Sequence, residues 1–251
     1  MYKHIFGPVN SRRLGVSLGV DLLPAKTCDL DCVYCECGKT TKLTMQRQLF
    51  VSTKDVQAEL DLFLASSPVL DHISFSGAGE PTLASNIGEI IQYIKTKYPQ
   101  YKVAVLTNGT LLSQAALRQE LMPADLVVPS IDAATASVFN KINRPVQGLK
   151  LEEVLSGLVN FSKEFKGQLW LEIFIVPGVN DTAEEITALK KLLSMIRPAK
   201  VQLNSLDRPG TVPETPKASL ALLQKIQEDL KPLPVEILGQ SKQAREIFSA
   251  T

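Results

Sequence analysis

Residues 28–35 read Cys28-Asp29-Leu30-Asp31-Cys32-Val33-Tyr34-Cys35, and the rest of the chain is best interpreted from this stretch outward. Three thiols lie at the spacing C-x3-C-x2-C, and Cys37 follows, so that all four cysteines of the chain fall within ten positions. A short loop can wrap three sulfurs around one inorganic cluster, and iron–sulfur clusters are held by thiolates at such spacings. We therefore predict that Cys28, Cys32 and Cys35 bind a [4Fe–4S] cluster in which one iron has no protein ligand.

This spacing, with the aromatic residue Tyr34 directly before the third cysteine, resembles the signature of the radical S-adenosylmethionine (SAM) superfamily. The resemblance implies two cofactors, a [4Fe–4S] cluster and SAM, with the amino and carboxylate groups of SAM on the open iron. It also implies that an electron cleaves the sulfonium to a 5′-deoxyadenosyl radical, and that a flavodoxin- or ferredoxin-type protein supplies the electron. The text at 7–15 (GPVNSRRLG) and 32–36 (CVYCE) further resembles small proteins grouped with the tRNA wyosine-synthesis enzymes, of the tRNA-imidazoG37 synthetase-like branch.

Length and composition indicate one soluble globular domain over residues 1–251, with a cysteine loop at about 24–40 and a C-terminal extension at about 231–251. Apolar residues make up 45% of the chain and charged residues 21%, which are ordinary values for a globular protein. No apolar run reaches the length of a membrane helix, and residues 1–4 lack the apolar core of a signal peptide. The clustered cysteines do not form a disulfide framework, so we expect a cytoplasmic protein without a membrane partner.

Short apolar runs alternate with amphipathic helical patterns along the chain, which indicates a parallel sheet covered by helices on its outer face. The predicted strands are 14–23, 72–76, 103–107, 126–131, 171–176 and 201–206. The first predicted helix begins at Ser52, its N-cap, with Asp55 as the capping-box partner. Further helices are predicted at about 86–98, 113–121, 150–165 and 182–196, and the last from Thr215 to about Leu230. Six such units are too few to close an eight-stranded barrel, so we predict a partial (β/α)6 TIM-type barrel. Pro129 marks a strand end or an edge position, and neither the run at 235–238 nor the helical stretch from about Ser241 is assigned.

Each predicted strand ends in polar or glycine-bearing residues, and active sites of parallel barrels lie at those ends. Residues 77–82 (GAGEPT), the glycine motif, resemble a SAM-binding motif of the superfamily. The superfamily resemblance implies that SAM contacts there come from Tyr34, Gly77, Gly79, Glu80, Asn108, Ser130, Asp132 and Leu203, with Asp132 at the ribose and Tyr34 and Leu203 beside the adenine. Each residue also has an ordinary alternative role. The glycines suit a tight turn, Asn108 and Asp132 suit loop capping, and Leu203 and Tyr34 suit packing. Four arginines near the strand ends could balance the charge of a cluster, although surface solvation is the usual role of an arginine: Arg12, Arg13, Arg144 and Arg208.

Three functions stay open from the sequence. The first is a radical SAM enzyme whose substrate is a small molecule, a peptide or an RNA, including a wyosine-type tRNA modification. The net charge of +1 argues against a large RNA footprint, and no cysteines remain for a second cluster. The second is a zinc module using Cys37 or a histidine as the fourth ligand, and the third is a plain electron carrier, which would need four cysteine ligands. Cys37 has no role in the three-thiol motif, and we predict that its loss leaves the cluster intact.

Overall fold

An eight-stranded sheet forms the centre of the computed structural model, which describes residues 2–239. The strands of the described chain are β1 (Ile5–Ser11), β2 (Gly15–Val20), β3 (Thr27–Cys28), β4 (Lys42–Leu43), β5 (His72–Phe75), β6 (Lys102–Thr107), β7 (Leu126–Pro129), β8 (Gln168–Phe174), β9 (Lys200–Asn204) and β10 (Val235–Ile237). The sheet has the order β1-β2-β5-β6-β7-β8-β9-β10, and β3 pairs only with β4. From β2 to β10 every neighbouring pair in this sheet is parallel.

Helices follow the parallel strands and cover one face of the sheet. They are α1 (Thr53–Leu64), α2 (Ile87–Lys97), α3 (Ala115–Leu121), α4 (Ala136–Ile142), α5 (Leu151–Glu164), α6 (Ala183–Ile196) and α7 (Leu220–Asp229). Successive residues of a strand face opposite sides, and on β6 the residues Val103 and Val105 belong to the main core with the helices. Ala104, between them, belongs to a smaller cluster with Leu14 and Val128 on the other face. This is the α/β architecture of a partial TIM-type barrel with outer helices, as predicted.

The sheet has one strand more at each edge than the six predicted βα units. The predicted first strand at 14–23 is β2, which is shorter, and an antiparallel strand, β1, precedes it in a hairpin. Most residues of β1 are exposed, so this segment lacks the alternating apolar pattern that predicts a strand. At the other edge, the unassigned run at 235–238 forms β10, a further parallel strand beside β9. The helical stretch expected from about Ser241 lies outside the described residues.

The predicted start of the last helix, at Thr215, was wrong. That helix is α7, which begins at Leu220, and the Ser219 side chain accepts its capping hydrogen bond from the Leu222 amide. The residues before it are drawn to the cysteine loop instead, because the Val212 amide donates to the Val33 carbonyl oxygen at 3.0 Å. A cap on the helix therefore exists, but it lies four positions further along the chain than Thr215.

Smaller local predictions had mixed outcomes. Ser52 is the N-cap of α1, but its side chain accepts no capping hydrogen bond, so the predicted capping box with Asp55 was wrong. Pro129 ends β7, which confirms one of its two predicted positions. The short helix α4 was not predicted from the sequence. Within residues 2–239, no helix combines the length and the apolar character that crossing a bilayer requires.

Candidate active site at the cysteine loop

The carboxyl ends of the parallel strands form a rim, and the cysteine loop, residues 24–40, lies across it. Four of the residues predicted to contact SAM line the same small cavity in this rim: Tyr34, Asn108, Ser130 and Asp132. They follow the ends of β6 and β7 or lie in the loop itself, so the parallel topology has brought them together from distant parts of the chain. The cavity wall also contains Asn143, which the sequence did not single out.

Two buried or partly buried aspartates inside the cysteine motif anchor the loop to the rim. Asp29 is fully buried, and its carboxylate accepts hydrogen bonds from the Asn108 amide at 2.5 Å and from the Thr110 hydroxyl. Asp31 pairs with the Arg144 guanidinium at 2.9 Å, and Arg144 Nε also donates to the Asp31 carbonyl oxygen at 2.5 Å. Of the four candidate arginines, Arg144 is thus the one bonded directly to the cysteine loop.

Each sulfur of the three-thiol motif has a side-chain nitrogen donor, two of them from outside the cysteine loop. The Asn108 side-chain amide lies 3.6 Å from Cys28 Sγ, and the Asn143 amide lies 3.4 Å from Cys32 Sγ. The third sulfur, of Cys35, lies 3.3 Å from the Lys26 ammonium nitrogen. Donors of this kind stabilise negative charge on sulfur, as thiolate ligands of a cluster require.

The thiols differ in their acidity because they differ in burial and partners. Burial raises the pKa of Cys28 well above its usual range and that of Cys32 to about 12. The pKa of Cys35 falls to about 5, first because the Cys37 thiol donates a hydrogen bond to it and then because Lys26 lies beside it. The pKa of Cys37 is raised correspondingly. Cys37 therefore has a contact within the loop, and its dispensability for a cluster stays a prediction.

The chemistry of the donor set fits an iron–sulfur cluster. Among residues 2–239, no three histidine, cysteine, aspartate or glutamate side chains gather closely enough to hold one metal ion. A tetrahedral zinc site would need four such ligands about 2.0–2.3 Å from one centre. A cubane distributes its irons over separate corners, so its thiolates need not converge on one point. Three thiols, each with its own nitrogen donor, fit a [4Fe–4S] cluster in their chemistry.

The glycine motif after β5 packs directly against the start of the cysteine loop. The Lys26 amide donates to the Ala78 carbonyl oxygen at 2.8 Å, and the Glu80 amide donates to the Thr27 carbonyl oxygen at 3.0 Å. A Cβ atom at Gly79 would collide with that same Thr27 oxygen, so a side chain cannot be accommodated there. The backbone of this motif therefore approaches the cysteine loop closely, and the predicted contacts of Gly77 and Gly79 with SAM stay predictions.

Glu80 is buried and fully engaged by neutral donors. Its carboxylate accepts hydrogen bonds from the Thr107 hydroxyl at 2.5 Å, the Asn108 backbone N–H at 2.7 Å and the Thr82 hydroxyl at 2.6 Å. Burial, and next the nearby charge of Asp29, raise the pKa of Glu80 to about 7. Glu80 thereby fixes the end of β6 from which Asn108 extends, and a contact with SAM stays a prediction.

Asp132 joins the cysteine loop to β8. The Tyr34 hydroxyl donates to it at 2.5 Å, the Asn143 amide at 2.8 Å and the Phe174 backbone N–H at 2.9 Å. The Tyr34 ring stacks on Phe174, with centroids 3.9 Å apart and an interplanar angle of 7°. Burial raises the pKa of Asp132 to about 6. The predicted ribose contact of Asp132, like an adenine contact of Tyr34, would have to be made beside these bonds.

The remaining predicted contacts are dispersed. Ser130 pairs with Glu172 across the ends of β7 and β8, on the cavity wall. Gly77 has a φ of +155° and lies against Asp21. The Leu203 side chain is fully buried in the main core, so its predicted place beside adenine stays a prediction.

Two of the candidate arginines hold the β1–β2 hairpin in place. Arg13 forms two hydrogen bonds of 2.7 Å with Glu172 on β8, and Arg12 pairs with Asp207 after β9. Burial alone would raise the pKa of Glu172, but the charge and hydrogen bonds of Arg13 outweigh it and lower that pKa. These arginines therefore balance carboxylates of the protein.

A cleft of about 660 Å³ opens beside the cysteine loop, and Arg208 lies in its wall. Its charged lining is mixed, with Glu36 and Asp207 opposed by Arg12, Arg208 and Lys217. A cleft of this volume accommodates a small molecule or one part of a larger one.

Comparison with known proteins gives a consistent family assignment. Residues 22–192 match the family model described as the radical SAM superfamily. A UPF0026 protein of Synechocystis is 42% identical over 206 residues, which are 82% of this chain and 76% of that protein. A Brachyspira hyodysenteriae protein named GTPase Obg is 37% identical over 206 residues, which are 82% of this chain but only 30% of that protein's length.

Solved structures share the fold at low sequence identity. A radical SAM methyltransferase from Sphaerobacter thermophilus has a TM-score of 0.67 at 17% identity, covering 88% of this chain and 65% of that one. A structure of TYW1 with a lysine-pyruvate adduct has a TM-score of 0.65 at 17% identity, covering 85% and 72%. At these identities the likeness establishes the fold alone.

Proposed function

The chain belongs to the radical SAM superfamily and groups with the UPF0026 proteins, and from that premise we propose its specific activity. The protein binds a [4Fe–4S] cluster through Cys28, Cys32 and Cys35 and cleaves SAM reductively in order to modify a substrate. When bound, the cluster and SAM supply the radical chemistry, since an electron passed to the sulfonium yields a 5′-deoxyadenosyl radical. The observation that carries this proposal is the rim itself, where three thiols with separate nitrogen donors adjoin a cavity lined by polar strand ends.

The residues of the chain bind and orient in this proposal. Arg144 and the buried Asp29 hold the cysteine loop on the rim through the contacts described above. The glycine motif, with Gly77 and Gly79, brings backbone carbonyl groups to the loop, where they can accept from the ammonium of SAM. Glu80 fixes the end of β6.

Four of the other proposed SAM contacts line the cavity, namely Tyr34, Asn108, Ser130 and Asp132. The fifth is Leu203, which is buried in the main core. The Tyr34 ring lines the cavity and stacks on Phe174, and in this proposal it helps to keep water from bound SAM. Exclusion of water protects a reactive intermediate from side reactions.

The substrate reaches the loop, in this proposal, through the cleft beside Glu36. A small molecule, a peptide and an RNA are all candidates. The structural likeness to TYW1 supports the shared fold, while a wyosine-type reaction on tRNA rests on the resemblance around the cysteines. All four cysteines lie in the one loop, which leaves none for a second cluster. A flavodoxin- or ferredoxin-type donor and a cytoplasmic location complete the proposal.

Anaerobic reconstitution with iron and sulfide, followed by addition of dithionite and SAM, tests this function. We expect about four irons and four sulfides per chain and release of 5′-deoxyadenosine, which stops in a Cys32→Ala variant. A protein that binds zinc without iron, or a cluster that leaves SAM intact under reducing conditions, would contradict the proposal. Substrates from the three candidate classes are then compared by how far each accelerates release of 5′-deoxyadenosine.

A further inference from the structure

The three sulfurs of the motif have donors of unequal charge. Asn108 and Asn143 present neutral amides to Cys28 and Cys32, whereas Lys26 presents an ammonium to Cys35 at 3.3 Å. Among the described residues, the Cys35 sulfur is the one hydrogen-bond partner of that ammonium. The positive charge of Lys26 therefore faces a sulfur and is not paired with a carboxylate.

The backbone of Lys26 is fixed on both sides. Its amide donates to the Ala78 carbonyl oxygen at 2.8 Å, and its carbonyl oxygen accepts from Thr41 and Lys42 at 3.0 Å and 3.1 Å. Its φ is +63°, in the left-handed region that residues other than glycine seldom adopt and that is enriched at functional sites. The lysine is thus held between the glycine motif and the far end of the loop.

The amide of Asn143 is oriented by a buried carboxylate. Its nitrogen donates to Asp132 at 2.8 Å and lies 3.4 Å from Cys32 Sγ. An ionised carboxylate only accepts hydrogen bonds, so the nitrogen and not the oxygen of the amide must face Asp132. This assigns the amide orientation, and with it an N–H donor to the sulfur.

We propose that Lys26 raises the reduction potential of the bound cluster through Cys35, and that Asn143 does so to a smaller extent through Cys32. This inference rests on the proposed function, because it requires the cluster to be present. Reduction adds one negative charge to the cluster, and a nearby ammonium or N–H donor stabilises the reduced form more than the oxidised form. Lys26 and Asn143 are positioning residues, since they act through the ligand sulfurs.

The test is an EPR-monitored redox titration of anaerobically reconstituted protein without SAM. Lys26→Met removes both charge and donor, Lys26→Gln removes the charge alone, and Lys26→Arg keeps both. Lys42→Met is the matched control, because Lys42 lies on β4, directly after the cysteine loop, and its ammonium lies over the Phe50 ring and not on a sulfur. Iron and sulfide content is measured first for every variant.

We expect Lys26→Met to lower the ratio of reduced to oxidised cluster at a fixed potential about tenfold, which equals ~59 mV for a one-electron couple. Lys26→Gln should fall between Lys26→Met and the wild type, and Lys26→Arg and Lys42→Met should match the wild type. Asn143→Ser should lower the ratio by roughly threefold, because a neutral donor interacts less strongly than a charged one.

A Lys26→Met protein that carries a full cluster and titrates as the wild type does would overturn the inference. If Lys26→Met fails to load, Lys26→Gln decides by the same criterion. A wild-type protein without any cluster would overturn the proposed function as well, whereas a loaded wild type with unchanged variants would overturn this inference alone.

Discussion

Buried carboxylates at two places in this molecule have pKa values that are shifted in opposite directions. Glu172 on β8 accepts both guanidinium N–H groups of Arg13 at 2.7 Å, and that pairing outweighs burial and lowers its pKa. At the rim, Glu80 and Asp132 accept only neutral donors among the described residues. Burial raises their pKa values to about 7 and about 6.

This difference shows in which part of the barrel the buried carboxylates have a cationic partner from the protein. Where the hairpin closes against β8, the protein supplies its own cation, so Glu172 needs nothing more. At the rim the carboxylates have no cationic partner from the described chain, and burying a carboxylate without one is unfavourable. A rim of this kind gains from a bound cation, as the proposed SAM would be.

The largest expected effect concerns the cysteine loop. Cys28→Ala, Cys32→Ala and Cys35→Ala should each abolish the [4Fe–4S] cluster and all release of 5′-deoxyadenosine, because a cubane held by two thiolates is not retained. Iron and sulfide analysis after anaerobic reconstitution measures this. Retention of a full, SAM-responsive cluster in any of the three variants would remove that cysteine from the ligand set.

The next largest effect should fall on the ion pair of the hairpin. Glu172→Gln leaves the mostly buried Arg13 without its carboxylate, and breaking such a pair costs about 3 kcal/mol of unfolding free energy. Urea unfolding of the cluster-free protein measures the loss. The double variant Arg13→Met, Glu172→Gln should recover part of it, and a double variant that loses as much as the two single variants together would show that the residues do not interact.

The pH dependence of stability should separate the two regions. Asp132 has a folded pKa of about 6 against a usual value of 3.8, so its contribution is present below the usual value and is lost as pH rises through about 6. Relative to Asp132→Asn, the cluster-free wild type should therefore lose roughly 2 kcal/mol between pH 4 and pH 7. Glu172, with a lowered pKa, should show the reverse, and its contribution should be lost as pH falls below its usual range.

Denaturant titrations at four pH values decide between these signs. An identical pH dependence in wild type and Asp132→Asn would show that burial does not set the protonation of Asp132. A stability difference that grew with rising pH would indicate an unrecognised cation at the rim.

The smallest expected effect is that of Cys37→Ala. Cys37 contacts Cys35 and lies 3.9 Å from the Gly77 carbonyl oxygen, yet three ligands already complete the predicted set. Iron content and 5′-deoxyadenosine release should equal those of the wild type. Loss of iron in this variant would make Cys37 a ligand and close the open position.

The sequence predicted the features of this molecule that depend on local patterns. The cysteine motif and each polar strand end consist of residues that are consecutive in the chain. The rim and most parallel strands were therefore predicted. The donors Lys26 and Asn143 were missed, because their value lies in contacts that only the folded chain creates, although Lys26 stands two positions before Cys28. The start of α7 was misplaced for a similar reason, since bonds from residues 211–212 to the loop override a local capping signal.

The edges of the sheet illustrate the same limit. β1 pairs with β2 although its side chains are mostly exposed, so the burial pattern that reveals a strand is absent. The Arg13–Glu172 pair joins residues 159 positions apart, and no spacing rule connects them. Prediction from sequence thus reached the loop and the strand ends but not the long-range pairs that hold them.

The most direct test of the central claim is the EPR spectrum of the reduced cluster with SAM that carries ¹⁵N in its amino group. A cluster bound by three cysteines should change its spectrum on addition of SAM and show hyperfine coupling to that nitrogen. An unchanged spectrum without coupling, from protein that carries a full cluster, would contradict an open iron at the rim.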